Sequence, residues 1–253
     1  MKNVIKAIKL EFNNMMERKF SLFFYLFAPV LLIYLFYMSA TVIVHWGNYS
    51  SLGIRVYDLL ASDIFSMIIL FITTQLMVLR IVGEKAPYGT LDRELITISK
   101  SSMFFGKLIT NSIFVFIQCF LVYFSGFILF PAKNYGSHFW VFIFILLIGL
   151  FGLVSGLVIS IFSKNKEQAV QIVPFYILIM MILSGSLIPL DQMSHVIGLI
   201  SNKLPLTMGI SSLKNLTLNG VGFEDVLTSL YYLISWIMGI GLIGLLKFKY
   251  EKK

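Results

Sequence analysis

The chain has 253 residues, 58% of them hydrophobic and only 13% charged, with 24 Phe, 12 Tyr and a formal net charge of +8. Soluble domains carry about 25% charged residues, so an ordinary water-surrounded core is excluded. The excess of positive charge gathers on the rim of apolar segments, where anionic lipid head groups and not nucleic acid are the expected counter-surface.

Residues 1–19 place Val4, Ile8, Phe12 and Met15/Met16 at helical spacing, with Lys6, Lys9, Asn13 and Glu17 towards the other side. The pattern predicts a helix lying in the membrane interface. Six apolar stretches follow at 20–44, 59–79, 108–130, 139–162, 169–188 and 226–246. Each is long enough to cross ~30 Å of hydrocarbon at ~1.5 Å rise per residue. The first exceeds a signal-peptide core, lacks an A-x-A-like cleavage site, and is expected as a retained span that Pro29 kinks. Asp58 and Asp63 sit near the outer end of the second, where an acid is least expensive. Cys119, in the third, has no partner for an internal disulfide and is expected as a small buried residue. In the fourth, Gly149, Gly152, Gly156 and Ser160 make a small-residue groove. Ser235 and Gly239 repeat the idea in the sixth, beside a second track of Gly241 and Gly244. Both sets are expected to be helix-packing faces.

The 20 Lys and Arg residues are distributed unevenly between the two sides. With the N-terminus inside, all but Arg55, Lys133, Lys203 and Lys214 fall on the inner side, which predicts that both termini face the cytoplasm. The fold class expected is therefore an all-α polytopic membrane protein: an interfacial helix, six spans, and a single transmembrane domain over 1–253.

Two polar segments carry the functional signal. In the inner loop 80–107, Pro87 and Gly89 end the second span and Thr90 can cap a following helix. Leu91, Leu95 and Ile98 then share one face, which suits either a solvated connector or a helix offered to a cytoplasmic partner. In the outer segment 189–225, Met193, Val196, Ile197 and Ile200 form one short amphipathic pattern, and Leu206, Ile210, Leu213 and Leu216/Thr217 another. With Lys203-Leu204-Pro205 between them, they predict a re-entrant helical hairpin between spans five and six, covered by protein or lining a cavity.

Catalytic chemistry is not expected in this chain. It has no G-x-x-x-x-G-K-[ST] phosphate loop; Gly106-Lys107 is followed by Leu108 and lacks the earlier glycine. His45, His138 and His195 fall in or beside three separate outer loops without ligand spacing, so no metal site is expected. Gly152-Leu153-Val154-Ser155-Gly156 is similar to a rhomboid serine site, but spans five and six offer no histidine as base. The tripeptides Asn48-Tyr49-Ser50 and Asn215-Leu216-Thr217 match a glycosylation sequon, a match that arises often by chance.

The chain resembles the membrane-spanning permease subunits of type-2 ATP-binding-cassette exporters. An inner G-T-L-(D/E)-x-x-L stretch is matched by Gly89-Thr90-Leu91-Asp92-Arg93-Glu94-Leu95, with Gly106-Lys107 downstream. An S-G-x-x-x-P element is matched by Ser184-Gly185-Ser186-Leu187-Ile188-Pro189. An L-P-L-T element is matched by Leu204-Pro205-Leu206-Thr207, followed by the basic Lys214 and by Gly220. The family's acidic-basic lead-in to the inner motif is loosened here to Glu84-Lys85-Ala86-Pro87-Tyr88, and Lys100 stands where a proline is common.

The resemblance implies an ATPase-coupling loop at Glu84, Gly89, Thr90, Leu91, Asp92, Arg93, Glu94, Leu95 and Ile98. It implies an outer exit shaped by Ser184, Gly185, Pro189, Leu204, Pro205, Leu206 and Thr207. A separate cytoplasmic ATPase would hold the ATP and Mg, this chain no cofactor, and a second permease would complete a twelve-span dimer among the membrane lipids. The implied activity is export across the cell membrane, in a prokaryote, of a lipid-like, drug-like or antimicrobial-peptide substrate. The alternatives from other classes are an ion-gradient-driven secondary transporter and a non-transporting membrane scaffold or sensor.

Overall fold

Inside hydrocarbon a backbone must satisfy its own hydrogen bonds, and with few turn residues in the apolar stretches the helix is the solution available to each of them. The computed structural model describes residues 2–17, 19–46, 55–85, 99–163 and 165–250. The interfacial helix is α1 (Lys2–Glu17). The six long helices are α2 (Lys19–Trp46), α3 (Val56–Lys85), α4 (Lys100–Phe124), α5 (His138–Phe162), α6 (Lys166–Leu183) and α9 (Phe223–Tyr250). Between the last two lie α7 (His195–Ser201) and α8 (Pro205–Asn219), bent against each other by 77°. The all-helical class, the six spans and the broken pair before the last span are those expected from the sequence.

Several boundaries differ, each for a local reason. Helix α4 begins well before residue 108, because Ser99 caps it by accepting from the Ser102 amide at 3.3 Å. Gly106 and Lys107 therefore lie inside a helix and not in a loop. Helix α6 starts where Asn165 accepts from the Gln168 amide at 2.8 Å, and it stops at Leu183 rather than running to 188. The turn that ends it needs Gly185 at φ +84°, a left-handed conformation that residues with a Cβ seldom take. Pro29 is carried inside an unbroken α2. At its far end α4 widens into a π-helical turn, Ser125–Leu129, where a Cβ on Gly126 would collide with the Phe65 ring. The Tyr57 hydroxyl closes this contact by donating to the Gly126 carbonyl at 3.2 Å.

Helix α5 is the centre of the bundle. It packs chiefly on α3, with α4, α8 and α9 around the rest of its surface, while α1 lies along α4 and α6 along α3. The α3–α5 contact is set by the small residues of α5. Gly149 faces α4, where a Cβ would stand 2.7 Å from Cys119 Sγ and 2.9 Å from Val115 Cγ1, while a Cβ on Gly152 would stand 3.0 Å from the Leu70 carbonyl of α3. Gly156 meets the Thr74 carbonyl in the same way. The approach also lets Thr74 Oγ1 donate to the Gly152 carbonyl at 3.1 Å, a hydrogen bond between two helices. Ser160 is buried on the same face, its hydroxyl returned to the Leu157 carbonyl at 2.6 Å.

The sixth span differs from expectation. Ser235 is exposed, its hydroxyl donating to its own helix at Tyr231, and a Cβ on Gly239 would meet nothing within 4 Å. The track that packs within this chain is Gly244, against Leu157, with Gly241 at 3.8 Å from Val154. Both tracks are made of small residues, and only the rotation of α9 about its axis selects between them.

Candidate functional site

Two clusters of buried charge mark the two ends of the bundle. At the N-terminal end, α1 is held to the start of α4. Ala7 and Gly106 make the close approach: a Cβ on Gly106 would stand 2.6 Å from that of Ala7. One helical turn along α1, the Glu11 carboxylate is 0% exposed and pairs through Oε1 with Lys107 Nζ, itself on a side chain only 2% exposed. Arg80 of α3 places Nη2 3.5 Å from Glu11 Oε2, an ion pair without hydrogen-bond alignment. Thr110 donates to the Ile8 carbonyl at 3.5 Å. The face of α1 turned to the protein is thus Ala7, Glu11 and Met15, while Phe12 and Met16 are 43% and 47% exposed. The expected apolar stripe is rotated, because Ala7 permits the approach and Glu11 finds its cations.

The opposite end is closed by two acids of α3. Asp58 accepts from Arg55 Nη2 at 2.9 Å, from Arg55 Nε at 3.0 Å and from the Lys133 amide at 2.9 Å. Arg55 also donates to the Pro131 carbonyl, so the α4–α5 connection is tied to the start of α3. The hydrogen bond to Asp58 raises the Arg55 pKa against the opposing effect of burial, and the guanidinium stays charged. Asp63 lies deeper. Its Oδ1 accepts from Ser186 at 2.8 Å, and Lys214 Nζ of α8 approaches its Oδ2 at 2.7 Å. Ser184 Oγ donates to the Met181 carbonyl at 3.1 Å and lies 3.2 Å from Ser186 Oγ. Beside Asp63, and one turn along α8 from Lys214, the hydroxyls of Ser62 and Thr217 meet at 3.2 Å.

The residues expected at the outer exit therefore fall into two sets. Ser184, Gly185 and Pro189 form the turn after α6, which Ser186 ties to α3. Leu204, Pro205, Leu206 and Thr207 form the bend into α8. Leu204 is the cap and Pro205 the first helical residue, where its missing amide hydrogen is harmless. Pro205, Leu206 and Thr207 are buried, and the Thr207 hydroxyl has no hydrogen-bond partner among the described residues. Trp236 of α9 braces the bend by donating to the Lys203 carbonyl at 3.2 Å. Helix α8 is wedged among α3, α5 and α9, and ends at Gly220 with φ +62°. Helix α7 stays outside, with Val196, Leu199 and Ile200 at 67%, 56% and 56% exposure. The structure thus brings Asp63, Ser186 and Lys214 together. Lys214 was singled out by the resemblance and Asp63 by its place in a span, but nothing in the sequence joined them.

Of the inner loop, Glu84 belongs to the last turn of α3. Gly89, Thr90, Leu91, Asp92, Arg93, Glu94, Leu95 and Ile98 lie outside the described residues. The geometry does fix what flanks them: α3 leads in, and α4 leads out already bolted to α1 through Lys107.

The bundle has six spans, an interfacial helix and a bent helix pair before the last span. Residues 47–246 match the family model described as "ABC-2 family transporter protein". This chain belongs to the ABC-2 family. A curated relative, "ABC transporter G family member 20" of Dictyostelium discoideum, is 25% identical over 211 residues, 82% of this chain. The chain spans 28% of that relative's length. Membership makes the chain a multi-pass membrane protein and an ABC-2 permease. Glu11, which anchors the interfacial helix, lies ahead of the matched segment.

Proposed function

We propose that this chain is the permease subunit of an ATP-driven exporter that moves a hydrophobic or amphipathic substrate, powered by an ATPase carried on a separate polypeptide. The family match over 47–246 carries the reading. It is supported by the concentration of Lys and Arg on the side where α3 connects to α4. That side would be cytoplasmic, both termini with it, and the ATPase would hold ATP and Mg beneath it. The contact between α3 and α5 is closed by glycine packing, so a path through the middle of one subunit is blocked. A path would run instead between two permeases, along the poorly covered faces of α2, α6 and α9, with the bend at 202–205 at its exit. A cell-membrane location, a lipid-like, drug-like or peptide substrate, and the twelve-span dimer belong to the same reading. A secondary transporter needs an available acid at membrane depth, and Asp63 is instead engaged by Lys214 and Ser186.

The test is Leu95→Asp. A buried unpaired carboxylate at a protein contact costs several kcal/mol, enough to displace a micromolar interface of about 8 kcal/mol by orders of magnitude. The variant should insert normally yet lose both co-purification with the ATPase and MgATP-dependent accumulation of an amphipathic dye in inside-out vesicles. Leu218→Asp, on α8, should keep the ATPase. Full ATPase binding and transport by Leu95→Asp would refute the coupling assignment, and dye transport driven by an ion gradient alone would refute the exporter.

A further inference from the structure

A cavity of about 170 Å³ lies at the N-terminal end of the bundle, between α1, α2, α3 and the start of α6. Its wall is apolar, with Leu22 from α2 and Leu76 and Leu79 from α3. Its polar lining is cationic and phenolic: Arg80, Lys166 and Tyr25. Lys166 is exposed, whereas the Arg80 side chain is only 12% exposed and is held in place by Glu11. Two cations and a phenol above an apolar floor match the two halves of an anionic amphiphile. A guanidinium presents forked donors to a phosphate, an ammonium adds a point charge, and the leucines receive the first methylenes.

The size narrows the occupant. Sites that enclose a drug-sized molecule run to about 300–1,000 Å³, so this cavity takes a head group and not a whole molecule. The chains would leave along the adjoining surface of α2, where Phe23, Phe24 and Phe27 are 53%, 55% and 55% exposed. The cavity also lies on the side where Lys and Arg collect, the side that the charge rule sets against anionic lipid. Gly83 borders it, and a Cβ there would meet nothing within 4 Å.

We propose that this cavity is a binding site for the head group of an anionic phospholipid, its phosphate held by Arg80 and Lys166, seated between the interfacial helix and the bundle. The site is independent of the transport reading: it would hold a resident lipid whatever the chain moves. A ligand that binds only the folded state raises the unfolding temperature with concentration, which gives a readout that needs no ATPase. The full chain in detergent is titrated with short-chain phosphatidylglycerol, with phosphatidylcholine of the same chain length, and with inorganic phosphate. Phosphatidylglycerol should raise the unfolding temperature, the zwitterionic lipid much less, and phosphate alone should not reproduce the shift. Lys166→Gln should weaken the response to phosphatidylglycerol about fivefold, the loss of one cation near a lipid phosphate. Gly83→Leu should abolish it by filling the cavity, while unfolding no earlier than the parent without lipid, since leucine favours the helix over glycine. Equal shifts with the two lipids would overturn the proposal, as would no shift with phosphatidylglycerol. A full shift with phosphate alone would make this a free-anion site, and an undiminished response in either variant would place the lipid elsewhere.

Discussion

Helix α1 has no hydrophobic driving force to hold it against the bundle once lipid can cover its face, so its docking should rest on the close contact of Ala7 with Gly106 and on the carboxylate of Glu11. Glu11 is fully buried, and Lys107 is 2% exposed. Removing one partner of such a pair strands the other charge in low dielectric and typically costs about 3–5 kcal/mol. Glu11→Met strands two cations, Lys107 and Arg80, and should lie at the upper end. Lys107→Met should cost less, because Arg80 remains 3.5 Å from the carboxylate. The double variant replaces the Glu11–Lys107 pair by apolar groups and should recover the part of the loss due to the stranded Lys107, Arg80 remaining without its carboxylate, a non-additivity that defines the coupling of the pair. The loss should appear locally, since α1 can undock while α3 and α5 stay packed. Amide hydrogen exchange along Lys2–Glu17 should therefore accelerate at least about 100-fold in Glu11→Met, with little change in α5. Unchanged exchange in α1, or equal acceleration throughout the bundle, would refute the argument that this pair is what holds the helix.

Gly152→Leu should prevent stable assembly, measured as the folded yield in detergent, because its side chain would enter the space of Thr73 and the Leu70 carbonyl; Gly239→Leu, in open space, should be tolerated. Lys214→Met should destabilise the bundle more than Asp63→Asn in mixed-micelle denaturation, because it strands the buried Asp63 carboxylate, whereas in Asp63→Asn the Lys214 side chain, 37% exposed, can turn to solvent. Impermeant thiol reagents should label cysteines placed at Ser50 and Asn134 in intact cells, but not those at Ser101 and Asn165; labelling at Ser101 would reverse the orientation.

The sequence by itself determined the class of this protein. Span length, the amphipathic start and the proline-broken segment before the last span are properties of contiguous residues, and the bilayer converts them directly into helices. Small residues at helical spacing likewise announced close packing, but a helix has many faces. Only the packed bundle turned Gly152 and Gly156 onto α3 and Gly149 onto α4, and in α9 it chose Gly244 over Ser235 and Gly239. The buried charges were beyond local reading for the same reason. Glu11 meets Lys107 across 96 residues and Asp63 meets Ser186 across 123, and neither pair has any pattern in the sequence that joins it. Position in the chain can show that an acid lies in a helix or near a rim. Whether it is exposed, paired or aimed at a cavity depends on which helices come to stand beside it, and that was decided by glycine contacts elsewhere in the bundle.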